Sequence, residues 1–222
     1  KTVSLFVTIM IVGFLALQPD FGQAALIIFA WSVIYFVAGA PMLVLAIVIA
    51  AVCLFGLFAY SASEHFRRRI DGFLSDEVGE NTQLGYATDA IREGGLFGTG
   101  LGEGSVKWTL PDAHTDFIIA VIAEEMGMIG VLLLLVLYTA IIGRGLWMAA
   151  NVQHSFGRLV AGSVTLTFFV YVFVNMGMVS GILPVVGVPL PLVSYGGTSI
   201  VTLMAGFGLL MSVHSHKTMM LR

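Results

Sequence analysis

Cysteine, charge and proline are all scarce in this chain of 222 residues, and each scarcity excludes something. The single cysteine, Cys53, rules out an intrachain disulfide and leaves the redox compartment unmarked. Charged residues make up only 10% against 58% hydrophobic, and mean hydropathy is +0.99. Soluble domains carry about 25% charged residues, so an ordinary globular domain is excluded, and intrinsic disorder and collagen-like structure fall with it. Residues 21–63 and 159–216 contain no Asp, Glu, Lys or Arg at all, and uncharged stretches of that length are membrane spans joined by short turns. With a net charge of −3 and a pI near 5.9, nothing suggests a nucleic-acid partner. No internal repeat or low-complexity tract is evident.

What is present is a series of apolar runs, each long enough for the about 20 helical residues that a bilayer core requires. They predict membrane helices over residues 2–18, 21–39, 41–60, 117–143, 158–180 and 197–213. The six prolines fall mainly at the breaks: Pro19, Pro41, and Pro184, Pro189 and Pro191. The expected fold is therefore an all-α polytopic membrane protein, residues 1–222 forming one membrane domain with about six spans and one long extracytoplasmic loop, 61–116. Lys1, Arg144, Arg158, Lys217 and Arg222 put the termini and the 144–158 loop on the cytoplasmic side by the positive-inside rule. The 61–116 loop then lies outside despite Arg67, Arg68 and Arg69, because long loops translocate largely regardless of charge. It should hold short helices of its own; residues 64–74 suit either one lying at the membrane surface, with Phe66, Ile70, Phe73 and Leu74 on one side, or a solvated charged turn capping the third span. A start at Lys1 directly before an apolar run suggests that an N-terminal portion has been lost or processed. A signal peptide fits poorly, because the run ends at Gln18-Pro19-Asp20 without a small-residue cleavage site.

Fifteen of the 23 charges lie between Glu64 and Asp116, and candidate chemistry gathers there and just beyond. The glycines of Gly94-Gly95-Leu96-Phe97-Gly98-Thr99-Gly100-Leu101-Gly102-Glu103-Gly104 suit either an anion nest or a flexible hinge. They match neither Rossmann nor Walker spacing. In Leu110-Pro111-Asp112-Ala113-His114-Thr115-Asp116-Phe117, Pro111 suits a first helical turn, which would put Asp112 and Asp116 on one face at the positive end of the helix dipole. A carboxylate there, beside an imidazole, suits proton abstraction from a sugar hydroxyl or a divalent cation, and equally a helix cap. Glu124 and Glu125 would sit about 12 Å deeper, pointing about 100° apart, so that at most one faces a given cavity. Intramembrane carboxylates mark function by default, or else tie helices together. Arg92 and Lys107 are the nearby cations, suited to holding a phosphate or simply solvated. The apolar but proline-rich stretch 181–197 predicts an irregular segment buried in protein or lining a cavity. Ser194 lacks the glycine two residues earlier that a nucleophile elbow needs. His214 and His216 read as solvated, and His65 and His154 form no pattern.

On the segments LQPDFG (17–22), GGLFGTGLGEG (94–104), LPDAHTDF (110–117), AEEMG (123–127) and PLPLVSYGG (189–197), the chain resembles the SEDS family, the shape, elongation, division and sporulation proteins typified by FtsW and RodA. That family folds as ten membrane helices with a large outer loop before the eighth, so the resemblance implies roughly the fifth to tenth helices, inactive without the first four. It implies a peptidoglycan glycosyltransferase that polymerises lipid II at the outer face of the bacterial cytoplasmic (inner) membrane, with Asp116 catalytic. His114, Lys107, Arg92 and Glu124 are then the substrate-binding candidates, an apolar groove holds the undecaprenyl chain, and a divalent cation, Mg or Mn, is a candidate cofactor with Asp116 as its ligand. A class B penicillin-binding protein transpeptidase and other membrane proteins of the division or elongation machinery are the implied partners. Residues 101–117 resemble the division branch and favour it, whereas RGLWMAA (144–150) and residues 172–197 resemble the rod-elongation branch. Two competing readings are a lipid II flippase, since intramembrane carboxylates and broken helices also mark translocation pathways, and a non-catalytic scaffold.

Overall fold

The computed structural model describes residues 2–18, 21–39, 41–74 and 82–219. Lys1, Pro19, Asp20, Arg222 and residues 75–81 of the long loop lie outside the described residues, as do the side chains of His65, Arg69, His216 and Lys217. All regular structure among the described residues is helical, and the chain divides into two compact units, 1–75 and 76–222.

The first unit holds α1 (Thr2–Leu17), α2 (Phe21–Val37), α3 (Met42–Ala62) and α4 (Glu64–Leu74). α1 and α2 are joined by a hydrogen bond from Trp31 Nε1 to Ser4 Oγ at 2.7 Å, and Trp31 stacks on Tyr35 with ring centroids 4.6 Å apart. Their large side chains face outward, Phe6 67% and Phe14 61% exposed, as expected where lipid is the solvent. α4 forms over the stretch that suits either a surface-lying helix or a solvated turn, and turns sharply from α3, the two helices bent by 104°. Tyr60 Oη donates to Asp71 Oδ1 across that bend, and Glu64 pairs with Arg67 and Arg68 one turn on.

The second unit holds α5 (Gln83–Gly94), a short 3-10 turn (Val106–Trp108), α6 (Ile118–Asn151), α7 (Ser155–Val179) and α8 (Gly197–Met219). Its core packs Phe117, Ala120, Tyr138, Phe168, Val172, Met178 and Leu190. The Phe168 ring lies 5.8 Å from Tyr138 and meets Phe207 of α8 edge-on at 5.4 Å.

Each expected apolar run is a helix, with differences that matter. α6, α7 and α8 are long and apolar enough to cross a membrane, and the bent α3–α4 pair makes a fourth candidate. α1 and α2, of 16 and 17 residues, reach only about 25 Å at about 1.5 Å per residue. α6 runs to Asn151 instead of stopping at 143, which shortens the expected 144–158 loop to residues 152–154. The reason lies in packing, because Gly145 lets α7 approach until Thr165 occupies the space a side chain would fill. At the other end α6 starts only at Ile118, and residues 111–117 form successive turns. Asp112 adopts a left-handed φ of 56°, and its carbonyl accepts from the backbone N–H groups of Thr115 and Phe117. Asp112 and Asp116 therefore do not share a helical face. The 181–196 stretch is irregular, as its prolines predict.

Candidate active site

The turn that carries Asp116 is held through its backbone. Three successive carbonyls are engaged: His114 O accepts from Tyr195 N at 3.0 Å, Thr115 O from Ser194 Oγ at 2.5 Å, and Asp116 O from Asn175 Nδ2 at 2.8 Å. The donors come from the PLPLVSYGG turn and from α7. That turn is itself anchored, since Ser194 Oγ accepts from Leu190 N at 2.7 Å and Tyr138 Oη of α6 donates to Pro191 O at 2.6 Å. Phe117, 1% exposed, plugs the core directly after Asp116. The Asp116 side chain is half-buried, and its Oδ2 faces the α-carbon of Gly187, where a Cβ would stand 3.3 Å away. His114 is exposed on the same turn. A carboxylate at the mouth of a span, fixed in position but reachable, is the arrangement a general base requires.

A second cluster lies further along α6. At Gly127, with φ 68° and ψ −171°, α6 kinks and opens its own ladder. The glycine-rich segment fills the gap in both directions: Thr99 N and Gly100 N donate to the carbonyls of Glu124 and Glu125, while Met128 N and Ile129 N donate to Gly95 O and Leu96 O. A Cβ at Gly94 would overlap the Ala123 carbonyl, and one at Gly98 the Glu125 carbonyl. These glycines thus allow close packing against a broken helix. Thr99 N and Gly100 N are committed to α6, which takes those two amides out of any anion nest.

The same wrapping settles the two glutamates. Glu124, fully buried, accepts the backbone N–H groups of Val106 and Lys107 at 2.8 and 3.1 Å. Glu125 accepts Lys107 Nζ at 2.5 Å, and Lys107 also donates to Gly102 O at 2.9 Å. The side chains of Lys107 and Glu125 are only 12% and 16% exposed. Both carboxylates face one loop, because the segment curls around that side of α6. Lys107 and Glu124 therefore spend their polar groups on each other's neighbourhood, and Arg92, on the last turn of α5, is exposed. Among the described residues no three His, Cys, Asp or Glu side chains gather as a metal site, and Asp116 is the one carboxylate of the pinned turn placed to share a cation with a substrate pyrophosphate. Ser194, buried and doubly hydrogen-bonded, is structural in geometry. Asn175 escaped the sequence reading, although an amide inside the apolar run VFVNMGMV is itself a signal, since polar groups at that depth are costly.

Apolar spans, an irregular proline-rich strap and a pinned carboxylate define a multi-pass helical membrane protein with its candidate site at the mouth of one span. The chain belongs to the FtsW/RodA/SpoVE family of cell cycle proteins, whose profile matches residues 1–219. It is 46% identical over 212 residues to the peptidoglycan glycosyltransferase MrdB of Escherichia coli K12, covering 92% of this chain and 57% of that protein. To the probable peptidoglycan glycosyltransferase FtsW of Bacillus subtilis it is 33% identical, covering 93% and 54%. Overall identity is thus higher to MrdB than to that FtsW. Among solved structures it matches a chain of a peptidoglycan synthase complex that coordinates polymerization and crosslinking, with a TM-score of 0.77, 32% identity, and 95% of this chain and 60% of that one covered. It also matches the crystal structure of the Thermus thermophilus rod shape determining protein RodA, with a TM-score of 0.62, 29% identity, and 97% and 56% covered. The chain spans a little over half the length of the relatives it matches.

Proposed function

We propose that this chain carries the base-bearing part of a peptidoglycan glycosyltransferase that polymerises lipid II into glycan strands for cell division or rod elongation. The observation that carries the reading is Asp116, a half-buried carboxylate on a turn whose three carbonyls are pinned, its Oδ2 beside the Gly187 backbone. In this reaction Asp116 takes the proton from the 4-hydroxyl of the acceptor GlcNAc. The freed oxygen attacks C1 of the donor MurNAc, the C1–O bond to the pyrophosphate breaks, and undecaprenyl pyrophosphate leaves with the bonding pair. One well-placed base contributes about 10²–10⁴-fold to such a step. His114, exposed beside Asp116, and Arg92 are the substrate-facing groups. Lys107 and Glu124 act on substrate only indirectly in this reading, by shaping the loop that Glu124 anchors. The active site faces outward from the inner membrane, the C-terminus lies in the cytoplasm, and apolar surface between spans receives the polyprenyl tail. A class B penicillin-binding protein transpeptidase is the partner that crosslinks the product, within the larger division or elongation assembly.

The flippase reading needs charged groups free to meet a headgroup inside the bilayer, and both carboxylates of α6 are instead occupied by the loop. The test substitutes Asp116→Ala in the complete protein with its partner and follows labelled lipid II. Loss of glycan strands is expected. Unchanged polymerisation refutes the assignment, and loss of lipid II flipping with polymerisation intact favours the transporter. A scaffold predicts no effect on glycan synthesis by the purified protein from any substitution between residues 92 and 125.

A further inference from the structure

We infer that Asn175, assisted by Ser194, positions Asp116 by fixing both the residue and the wall it faces. The inference rests on Asp116 being the base proposed above. Asn175 is 0% exposed, deep in the core beside Met178 and Val179. Its single amide nitrogen donates both hydrogens, one to Asp116 O at 2.8 Å and one to Val188 O at 2.5 Å. Those two carbonyls belong to the two sides of the carboxylate: Asp116 itself, and the strap whose Gly187 α-carbon faces Oδ2. A single side chain on α7 thereby sets the spacing between the base and the opposite wall. Val188, 1% exposed, locks the strap on that side, and the φ of 72° at Gly187 keeps a side chain out of the gap.

The amide also carries a cost that stability alone does not explain. Asn175 Oδ1 is buried and has no hydrogen-bond partner among the described residues. An orphaned buried acceptor is unfavourable, and such groups concentrate where function maintains them. Ser194 acts one peptide earlier, its Oγ donating to Thr115 O while it accepts from Leu190 N, so the same strap is tied to the turn a second time. Displacing a catalytic group by about 1 Å can cost on the order of 100-fold in rate.

The test compares Asn175→Leu, Ser194→Ala and a control, Thr165→Val, in the complete protein reconstituted with its transpeptidase partner. Thr165 is buried on the same helix, and among the described residues its hydroxyl donates to Ala161 O within that helix. Steady-state turnover of labelled lipid II is measured together with amide exchange over residues 112–117. Positioning predicts that Asn175→Leu lowers kcat on the order of 100-fold with KM for lipid II unchanged and faster exchange in the turn. Ser194→Ala lowers kcat by about tenfold, and the double variant is no worse than Asn175→Leu, because both act on one turn. Thr165→Val retains wild-type kcat. Wild-type kcat in Asn175→Leu overturns the inference, as does a rise in KM in place of the loss in kcat, or an equal loss in Thr165→Val. Should Asn175→Leu fail to fold, wild-type kcat in Ser194→Ala overturns it equally. Failure of the functional reading looks different: Asp116→Ala then still polymerises, and exchange in the turn alone decides whether Asn175 holds it.

Discussion

Glu124→Gln isolates the buried carboxylate that holds the 3-10 turn. The side chain keeps its shape, which matters because Gly104 approaches so closely that a Cβ there would stand 2.7 Å from Glu124 Cδ. One oxygen still accepts one backbone N–H, but the new amide turns its own hydrogens toward the other. At 2.8 and 3.1 Å both present bonds are well formed and shielded from water. Losing one charge-assisted bond and opposing two donors costs about 2–4 kcal/mol of local stability. At about 1.4 kcal/mol per tenfold, this is a rise of roughly 30- to 700-fold in the opening of the loop. Hydrogen exchange of the protein in lipid nanodiscs reads it directly: the amides of Val106 and Lys107 accelerate, while those of α6 beyond the Gly127 kink do not. Unchanged exchange at residues 104–108 refutes the anchoring role, and acceleration along all of α6 refutes its local character.

The remaining predictions concern the same framework. Gly98→Ala drives a Cβ into the Glu125 carbonyl at a φ of 81° and costs the steric overlap on top of the backbone strain, at least about 3 kcal/mol, whereas Gly95→Ala, at φ 52° and ψ −137° with open space around it, costs the backbone strain alone, about 1–3 kcal/mol. Thermal melts that rank the two equally contradict the packing account of the glycine-rich segment. Tyr138→Phe removes the 2.6 Å bond to Pro191 O and lowers stability by about 1–2 kcal/mol, and a melt identical to wild type shows that the proline-rich turn is held elsewhere. A double-mutant cycle of Lys107→Met with Glu125→Gln gives a coupling of about 1–3 kcal/mol for this mostly buried pair, and additive effects contradict the contact.

How much was legible in the residues follows from the range over which each signal acts. The apolar runs and the proline-broken strap come from local composition and were visible. Asp116 was singled out by its setting of Pro, His and Thr, but the expected helical face it would share with Asp112 was not there. Asp tolerates a left-handed φ, and at Asp112 that one dihedral delays α6 to Ile118. The glycine-rich segment was ambiguous because its partner, the opened ladder of α6, begins some twenty residues later in the chain. Glu124 and Glu125 pointed apart on an ideal helix, and only the loop curling around α6 brings both to one partner. Asn175 carried a signal of cost, a polar group in an apolar span, but which carbonyls it bridges depends on contacts 13 and 59 residues away.

The central claim is that the Asp116 carboxylate is the base, and the most direct measurement is the rate of glycan-strand synthesis by Asp116→Asn, with lipid II binding measured on the same sample. Asn keeps the volume beside Gly187 and leaves the turn's backbone bonds to Asn175, Ser194 and Tyr195 in place, while an amide replaces the basic carboxylate. The account predicts intact binding and a rate lower by about 10²–10⁴-fold. Polymerisation at the wild-type rate by this variant would contradict it.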